Sequence, residues 1–483
     1  MSRKRTISRR QFLGQASCAA LGSTTFLSTA LNLGMINTAA ARPHMLTNGN
    51  DYKALVCILL AGGADSFNML VPTTAADYAE YAAVRADLAL PYNTGNPPQN
   101  QLLDLNGTDA NGKTYGVHQG MSAIRDLYNA GNLAFISNIG TLIEPITDVD
   151  DLYGGGKQLP LGLYSHADQI MQWQTSVPQN RTAVGVGGRM ADMLKDMCGI
   201  DAVSMNISLD GKNRFQAGNS VIEFSIPNNA TPDNLGFESP PFWWPSQGYL
   251  AQTRNQAVNN LVEDVYSNIF QNTYSSLTRQ TVESIELFRS ALARKPDIPV
   301  TFSDNRLSQD LRMMAEVISV HQHLGNQRQI FFTTFGGWDH HDEVLNNQNR
   351  MLPILSNAMN EFQQAINHLG LQNEVITFTI SDFSRTLTSN GNGSDHAWGG
   401  NSMIMGGPID GGKIYGNYPI LNLNESLNID ERGRFIPTTS VDEFYAELAL
   451  WFGASSNDLS YILPNIGNFY SYSPSTPPIG MFL

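Results

Sequence analysis

Apolar residues along this chain gather in short, nearly unbroken runs rather than alternating with polar ones. Tyr52–Leu60 (YKALVCILL), Leu133–Ile139 (LAFISNI), Ala202–Leu209 (AVSMNISL), Gln329–Phe335 (QIFFTTF) and Glu374–Ile380 (EVITFTI) are all of this kind. Runs of this length and continuity predict strands buried on both faces, as in a parallel sheet. Between the last two, Leu352, Leu355, Met359, Phe362, Ile366 and Leu369 recur at three- and four-residue steps, and Gly370 follows. That period predicts an amphipathic helix closed by glycine. The order strand–helix–strand predicts a βαβ unit with a right-handed crossover. Shorter helical patterns are expected at Met121–Asn129 and Val441–Phe452, and a largely helical stretch over 256–324, interrupted near Lys295–Pro299. Residues 219–252 are rich in Pro, Asn and Trp without a period and read as an irregular insertion.

Composition narrows the function classes. Of 483 residues, 42 % are hydrophobic and 15 % charged, against roughly 25 % charged in ordinary soluble domains. Such a chain can bury a large core, and its composition argues against intrinsic disorder. The net charge is −14, which argues against nucleic-acid binding through a general basic face. Three cysteines, Cys18, Cys57 and Cys198, cannot form a disulfide framework. Cys57 lies inside an apolar run and reads as a small buried hydrophobe.

The positive charge is uneven. Arg3, Lys4, Arg5, Arg9 and Arg10 precede an uncharged stretch, Gln11–Ala41, that ends in Ala39-Ala40-Ala41. This is a charged region, a mildly apolar region and a small-residue cleavage site. Ser8–Leu13 (SRRQFL) matches a twin-arginine export signal. The expected address is therefore periplasmic or secreted, with the twin-arginine machinery as a partner. No stretch beyond the signal is apolar enough to span a bilayer, so no stable membrane span is expected after cleavage.

Polar residues concentrate at three predicted strand exits: Asp65-Ser66, Trp338–Asp342 (WDHHD) and Ser381–Arg385 (SDFSR). In open parallel sheets, ligands bind beyond the carboxyl ends of the strands, so the exits converge if the strands are neighbours. Gly393–His396 (GSDH) follows closely. Aspartate with histidine suits a borderline divalent ion such as Zn²⁺ or Mn²⁺. Asp65 also reads as a helix cap or turn residue. Ser165, in Tyr164–Asp168 (YSHAD), has two readings: an N-cap, or a nucleophile at a helix N-terminus, where the dipole stabilises an anion.

These residues fall within a series of short motifs. GGADSFNMLVP, the segment Tyr78–Arg85, YSHADQIMQWQT, GGRMADML, FFTTFGGWDHHDE, ISDFSRTLTSN, GSDHAWGG and GGKIYG follow one another between about Lys53 and Pro419. In this order they resemble the domain-of-unknown-function 1501 family of exported bacterial proteins, within the alkaline phosphatase and sulfatase-like superfamily. The resemblance implies an alkaline-phosphatase-like α/β fold with a mostly parallel central sheet flanked by helices and with irregular insertions. It gives a division into a signal segment, 1–41, and one domain, 42–483, with the insertion at about 219–252. It implies metal ligands at Asp65, Asp339, His341, Asp382, Asp395 and His396, and catalytic candidates at Ser165, His166 and Arg385. Arg385 or Arg189 could neutralise an ester oxyanion or make a structural salt bridge.

The sequence departs from that pattern. Asp382 stands where the family usually has Glu, Ser384 where it has Gly, and His340 where it has Thr. Phe383 follows Asp382, and no histidine occurs after His396. One complete metal site is expected and a second lacks ligands, which His166 or His118 could supply. Neither Cys57 nor Cys198 has Pro two residues on, so the formylglycine motif of sulfatases is absent. Two functions follow: an exported hydrolase of a phosphate or sulfate ester on a small molecule or glycan, or a non-catalytic exported binding protein that keeps the fold. For the second, Phe242–Pro245 (FWWP) could form a carbohydrate platform.

Overall fold

The computed structural model describes residues 51–95, 97–195, 203–228, 256, 260, 269–473 and 476–483. The expected signal segment, Cys18, Cys198, the Phe242–Pro245 run and most of the expected insertion lie outside the described residues. Among the described residues, no helix is long and apolar enough to cross a membrane.

The largest sheet is built from β1 (Lys53–Ala61), β2 (Leu133–Gly140), β3 (Asn206–Ser208), β4 (Phe224–Ser225), β5 (Arg328–Gly336), β6 (Val375–Ser381), β7 (Gly400–Met405), β8 (Ile414–Gly416) and β9 (Thr439–Ser440). Its order is β8-β2-β7-β6-β1-β5-β3-β4, with β9 added on β2. β1 pairs in parallel with β5 on one side and β6 on the other. β7 is antiparallel to both β2 and β6. A separate three-stranded sheet joins Leu70–Pro72, Tyr115–His118 and Leu102–Asp104. The class is the expected mixed α/β, with a mostly parallel central sheet flanked by helices.

The unbroken apolar runs have their physical reason in two cores. Ala54, Val56, Ile58 and Leu60 of β1 face one core, shared with the helices Ser122–Asn129, Arg306–Ser319 and Val344–His368. Leu55, Cys57 and Leu59 face the other, shared with Trp173, Met190 and the helix Val441–Phe452. A strand covered on both sides has no solvent face on which to place polar residues.

One expectation is adjusted. The third strand covers Asn206–Ser208 rather than the whole of 202–209, and it pairs with only Ile330–Phe332 of β5. β5 and β6, joined by Val344–His368 as the expected strand–helix–strand unit, both run parallel to β1, which lies between them.

That interposition positions the site. The registers Ala61↔Gly336 and Leu60↔Ser381 end the three central strands at one level, so their polar exits emerge together. The turn after β1 is tight for the same reason. Gly62 has φ +120°, and a Cβ there would meet the backbone nitrogen of Asp339 at 2.5 Å. Only glycine fits both the conformation and the contact.

Candidate metal centre

Asp339 stands at the exit of β5, anchored by the buried Trp338, whose backbone N–H donates to the Ala61 carbonyl (3.1 Å). Three imidazoles surround its carboxylate. His341 Nε2 lies 3.2 Å and His396 Nε2 3.5 Å from Oδ1, and His166 Nε2 lies 3.5 Å from Oδ2. Candidate ligand atoms of His166, Asp339 and His396 lie within 4.8 Å of one another. The two nitrogens His341 Nε2 and His396 Nε2 are 2.8 Å apart.

The far side of each ring is held as well. His396 Nδ1 meets the Tyr164 carbonyl at 2.7 Å, His341 Nδ1 meets Asp395 Oδ1 at 3.0 Å, and His166 Nδ1 meets Asp382 Oδ2 at 2.7 Å. A carbonyl can only accept, and so can an ionised carboxylate. Each Nδ1 therefore carries a proton, and in a neutral ring Nε2 then keeps its lone pair. The 2.8 Å contact is an N–H···N hydrogen-bond distance, so with both Nδ1 atoms protonated it requires a proton or a metal ion shared between the two Nε2 atoms. The donor set thus fits a borderline divalent ion: three imidazoles and one carboxylate, with outer partners that fix the tautomers.

Local structure explains how sequence-distant residues meet. Ser165 is the N-cap of His166–Thr175, so His166 opens that helix. Tyr164 has φ +69°, rare for a bulky residue. Its N–H donates to Gln169 Oε1 (2.6 Å), and the Arg434 guanidinium lies 5.0 Å from its ring. After β6 the chain folds back on itself: Ala397 N–H donates to the Ser384 carbonyl (2.8 Å) and Thr386 N–H to Asp395 O (2.9 Å). This sets His396 beside Arg385. Phe383 packs under His166 and His396, with centroids at 4.8 and 4.5 Å.

The electrostatics agree with a neutral His396 beside an anionic Asp339. For Asp339, burial pushes the pKa up, but the hydrogen bond and charge of Arg385, with His166 and His341, bring it below the ordinary value. Burial holds His396 below the ordinary histidine value, opposed by its Tyr164 carbonyl contact and reinforced by Arg385, His166 and His341. Burial raises Asp382, partly offset by the Gly62 N–H and His166. At Asp395 burial acts upward, yet Asn390, His341 and Arg432 bring the carboxyl to about 2.

The predicted site residues fall into distinct places. Asp339, His341 and His396 come together, joined by His166. Asp382 and Asp395 reach the centre only through the far sides of His166 and His341. Asp65 lies apart from this ring, in a buried ion pair with Arg85 (2.8 Å), and it also accepts from Ser394 Oγ (3.1 Å). Ser165 Oγ accepts from Asp168 N–H (3.4 Å) as a cap.

Arg385 is fully buried. It donates through Nε to Gly63 O (2.7 Å), through Nη1 to Ser394 O (3.0 Å), and through Nη2 to Gly62 O (2.5 Å) and to Asp339. In place of an open oxyanion contact, it ties Asp339 to the glycine turn. Arg189 likewise donates to the carbonyls of Ile462, Val184 and Thr175. The second-site candidate His118 is buried, with Nδ1 accepting from Gly120 N–H (2.9 Å). The Tyr164 carbonyl and Arg432 were not foreseen. A backbone acceptor has no sequence signature, and Arg432 sits in an ordinary turn sequence, DERGR.

The fold and site define an α/β protein with a histidine-rich candidate metal centre at the carboxyl ends of its central strands. The family model described as protein of unknown function (DUF1501) matches residues 249–454, the same family that the motifs resemble. The matched stretch contains Asp339, His341, Asp382, Arg385, Asp395 and His396, whereas Asp65 and His166 precede it. No curated protein matches the chain. Among solved structures, the PsFucS1 sulfatase from Pseudoalteromonas sp. is 8 % identical, with 84 % of this chain and 68 % of that one covered and a TM-score of 0.32. The lipoteichoic acid synthase LtaP from Listeria monocytogenes is 8 % identical, with coverage of 87 % and 78 % and a TM-score of 0.31. The alkaline phosphatase from the Antarctic bacterium TAB5 is 8 % identical, with coverage of 85 % and 98 % and a TM-score of 0.24.

Proposed function

We propose that this protein is an exported metal-dependent hydrolase that acts on a phosphate or sulfate ester. The observation that carries the reading is the convergence of His166, His341 and His396 Nε2 on Asp339. Three imidazoles with one carboxylate favour Zn²⁺ over Mn²⁺, which prefers oxygen donors. When bound, a divalent ion supplies Lewis-acid polarisation of the ester oxygen and lowers the pKa of a coordinated water. The chain's own part is to hold the ligands. Arg385 fixes Asp339, Phe383 floors the two imidazoles, and the half-exposed side chains of Asp339 and His341 leave the centre open on one side. Export by the twin-arginine route to the periplasm or beyond, as one mature domain from residue 42, is part of the same proposal. It rests on the Ser8–Leu13 motif and the Ala39–Ala41 cleavage pattern.

A second reading, a non-catalytic binding protein on the same fold, draws support from Ser165, whose hydroxyl serves as a helix cap. The two readings separate in one experiment. The mature protein is purified, its metal content is measured, and aryl phosphate, phosphodiester and aryl sulfate substrates are screened with and without chelator. Bound metal with chelator-sensitive turnover supports the hydrolase. Bound metal without turnover favours the binding protein, and absence of metal rejects both the ion and the hydrolase.

A further inference from the structure

Asp382 and Asp395 were expected as ligands, yet each meets a histidine on its Nδ1 side, away from the converging Nε2 atoms. Asp395 is itself fixed from behind: Arg432 Nη2 donates to Oδ2, Asn390 Nδ2 donates to Oδ1 at 3.0 Å, and its backbone N–H donates to Thr386 Oγ1 at 3.0 Å. Asp382 is fixed by the Gly62 N–H on Oδ1 (3.0 Å). We infer that Asp395 and Asp382 are positioning residues that hold His341 and His166 in the Nδ1–H tautomer with Nε2 aimed at the centre, and that the Arg432–Asn390 pair sets Asp395 in place for this. The inference rests on the metal-centre reading above and assigns the roles within it.

The physical reason is directional. An imidazole can carry its single proton on either nitrogen and can rotate about its side-chain bonds. A carboxylate clamped on Nδ1 removes both freedoms before an ion arrives and makes the ring a better donor. The third ring, His396, receives the same service from the Tyr164 carbonyl, which substitution of a side chain cannot remove. Asp395 is the testable member, because its side chain is partly exposed, whereas Asp382 is fully buried.

The test uses the purified mature chain, Zn²⁺ affinity by chelator competition, and the visible spectrum of the Co²⁺ form. Asp395→Asn is compared with Asp342→Asn, which removes an equal charge from an exposed neighbour that contacts Asn392 and the Glu343 N–H rather than an imidazole. Circular dichroism verifies that each variant is folded. The expected result for Asp395→Asn is one ion per chain, an unchanged Co²⁺ band pattern, and Zn²⁺ affinity weakened about ten- to hundredfold. Asp342→Asn should stay within about twofold, the screened effect of an exposed charge. Equal losses in the two variants would reduce the effect to plain charge and overturn the inference, as would unchanged affinity in Asp395→Asn. A Co²⁺ spectrum reporting a lost ligand would make Asp395 a ligand and overturn it too. Failure of the unsubstituted protein to bind an ion would overturn the metal-centre reading and this inference together.

Discussion

Asp65 and Asp339 leave adjacent parallel strands, β1 and β5, at the same level of the sheet, but they meet opposite surroundings. Asp65 is fully buried and closed by a single cation, the Arg85 guanidinium. Asp339 is 48 % exposed, tied on one oxygen by Arg385, and ringed by three imidazoles. The first carboxylate has its counter-charge built into the fold. The second has one too, the buried Arg385 guanidinium, and faces three imidazoles besides. An acid at a strand end is therefore structural or functional according to what faces it, and that is decided by elements remote in sequence.

The comparison can be broken at either end, and the largest effect is expected at Asp65. Asp65→Ala leaves Arg85 charged and buried without its partner, and should lower stability by about 3–5 kcal/mol, measured by chemical denaturation. Replacing both residues with apolar ones of similar volume should recover most of that loss, since a buried pair contributes little over a packed apolar one. At the other end, His396→Ala removes a proposed ligand. Zn²⁺ affinity should fall by more than about a hundredfold, because loss of an outer partner alone weakens binding ten- to hundredfold. Stability without metal should barely change.

Acidification gives a graded version of the same test. Ion binding needs neutral imidazoles, so affinity should hold at pH 7–8. It should fall on acidification, because protons compete with the ion for the ligand nitrogens. His396, held below the ordinary histidine value by burial, should protonate at lower pH than an unperturbed imidazole, which a pH series of metal titrations would reveal. The smallest effect is expected for Ser165→Ala. As a cap with a long 3.4 Å bond, it should cost about 1 kcal/mol or less and leave metal affinity unchanged. Abolished turnover in a folded, metal-loaded Ser165→Ala protein would restore the nucleophile reading.

Much of the fold was legible because burial on both faces writes itself as continuous apolar runs. β1, β5 and β6 and the helix Val344–His368 follow from that signal, and the strand-end acids are plain in the sequence, whereas their convergence rests on β1 lying between β5 and β6. β7 was not legible. Its GNSMIM sequence mixes glycine and polar residues, and it lies antiparallel between β2 and β6. The site was legible in residue type but not in role. Asp382 meets His166 across 216 residues and Asp395 meets His341 across 54, and whether a carboxylate faces an ion or the far nitrogen of an imidazole depends on side-chain direction, which spacing does not encode. Nor could the pattern of Ala75–Arg85, a helix ending in arginine, show that Arg85 turns inward to Asp65.

The most direct test counts ions. The purified mature protein and its Asp339→Ala, His396→Ala and Ser165→Ala variants are dialysed against Zn²⁺, and the metal is quantified by mass spectrometry. One ion per chain in the unsubstituted and Ser165→Ala proteins, and none in the other two, is the predicted result. An ion retained after loss of Asp339 and His396, or none bound at the outset, would contradict a metal centre formed by the three histidines and Asp339.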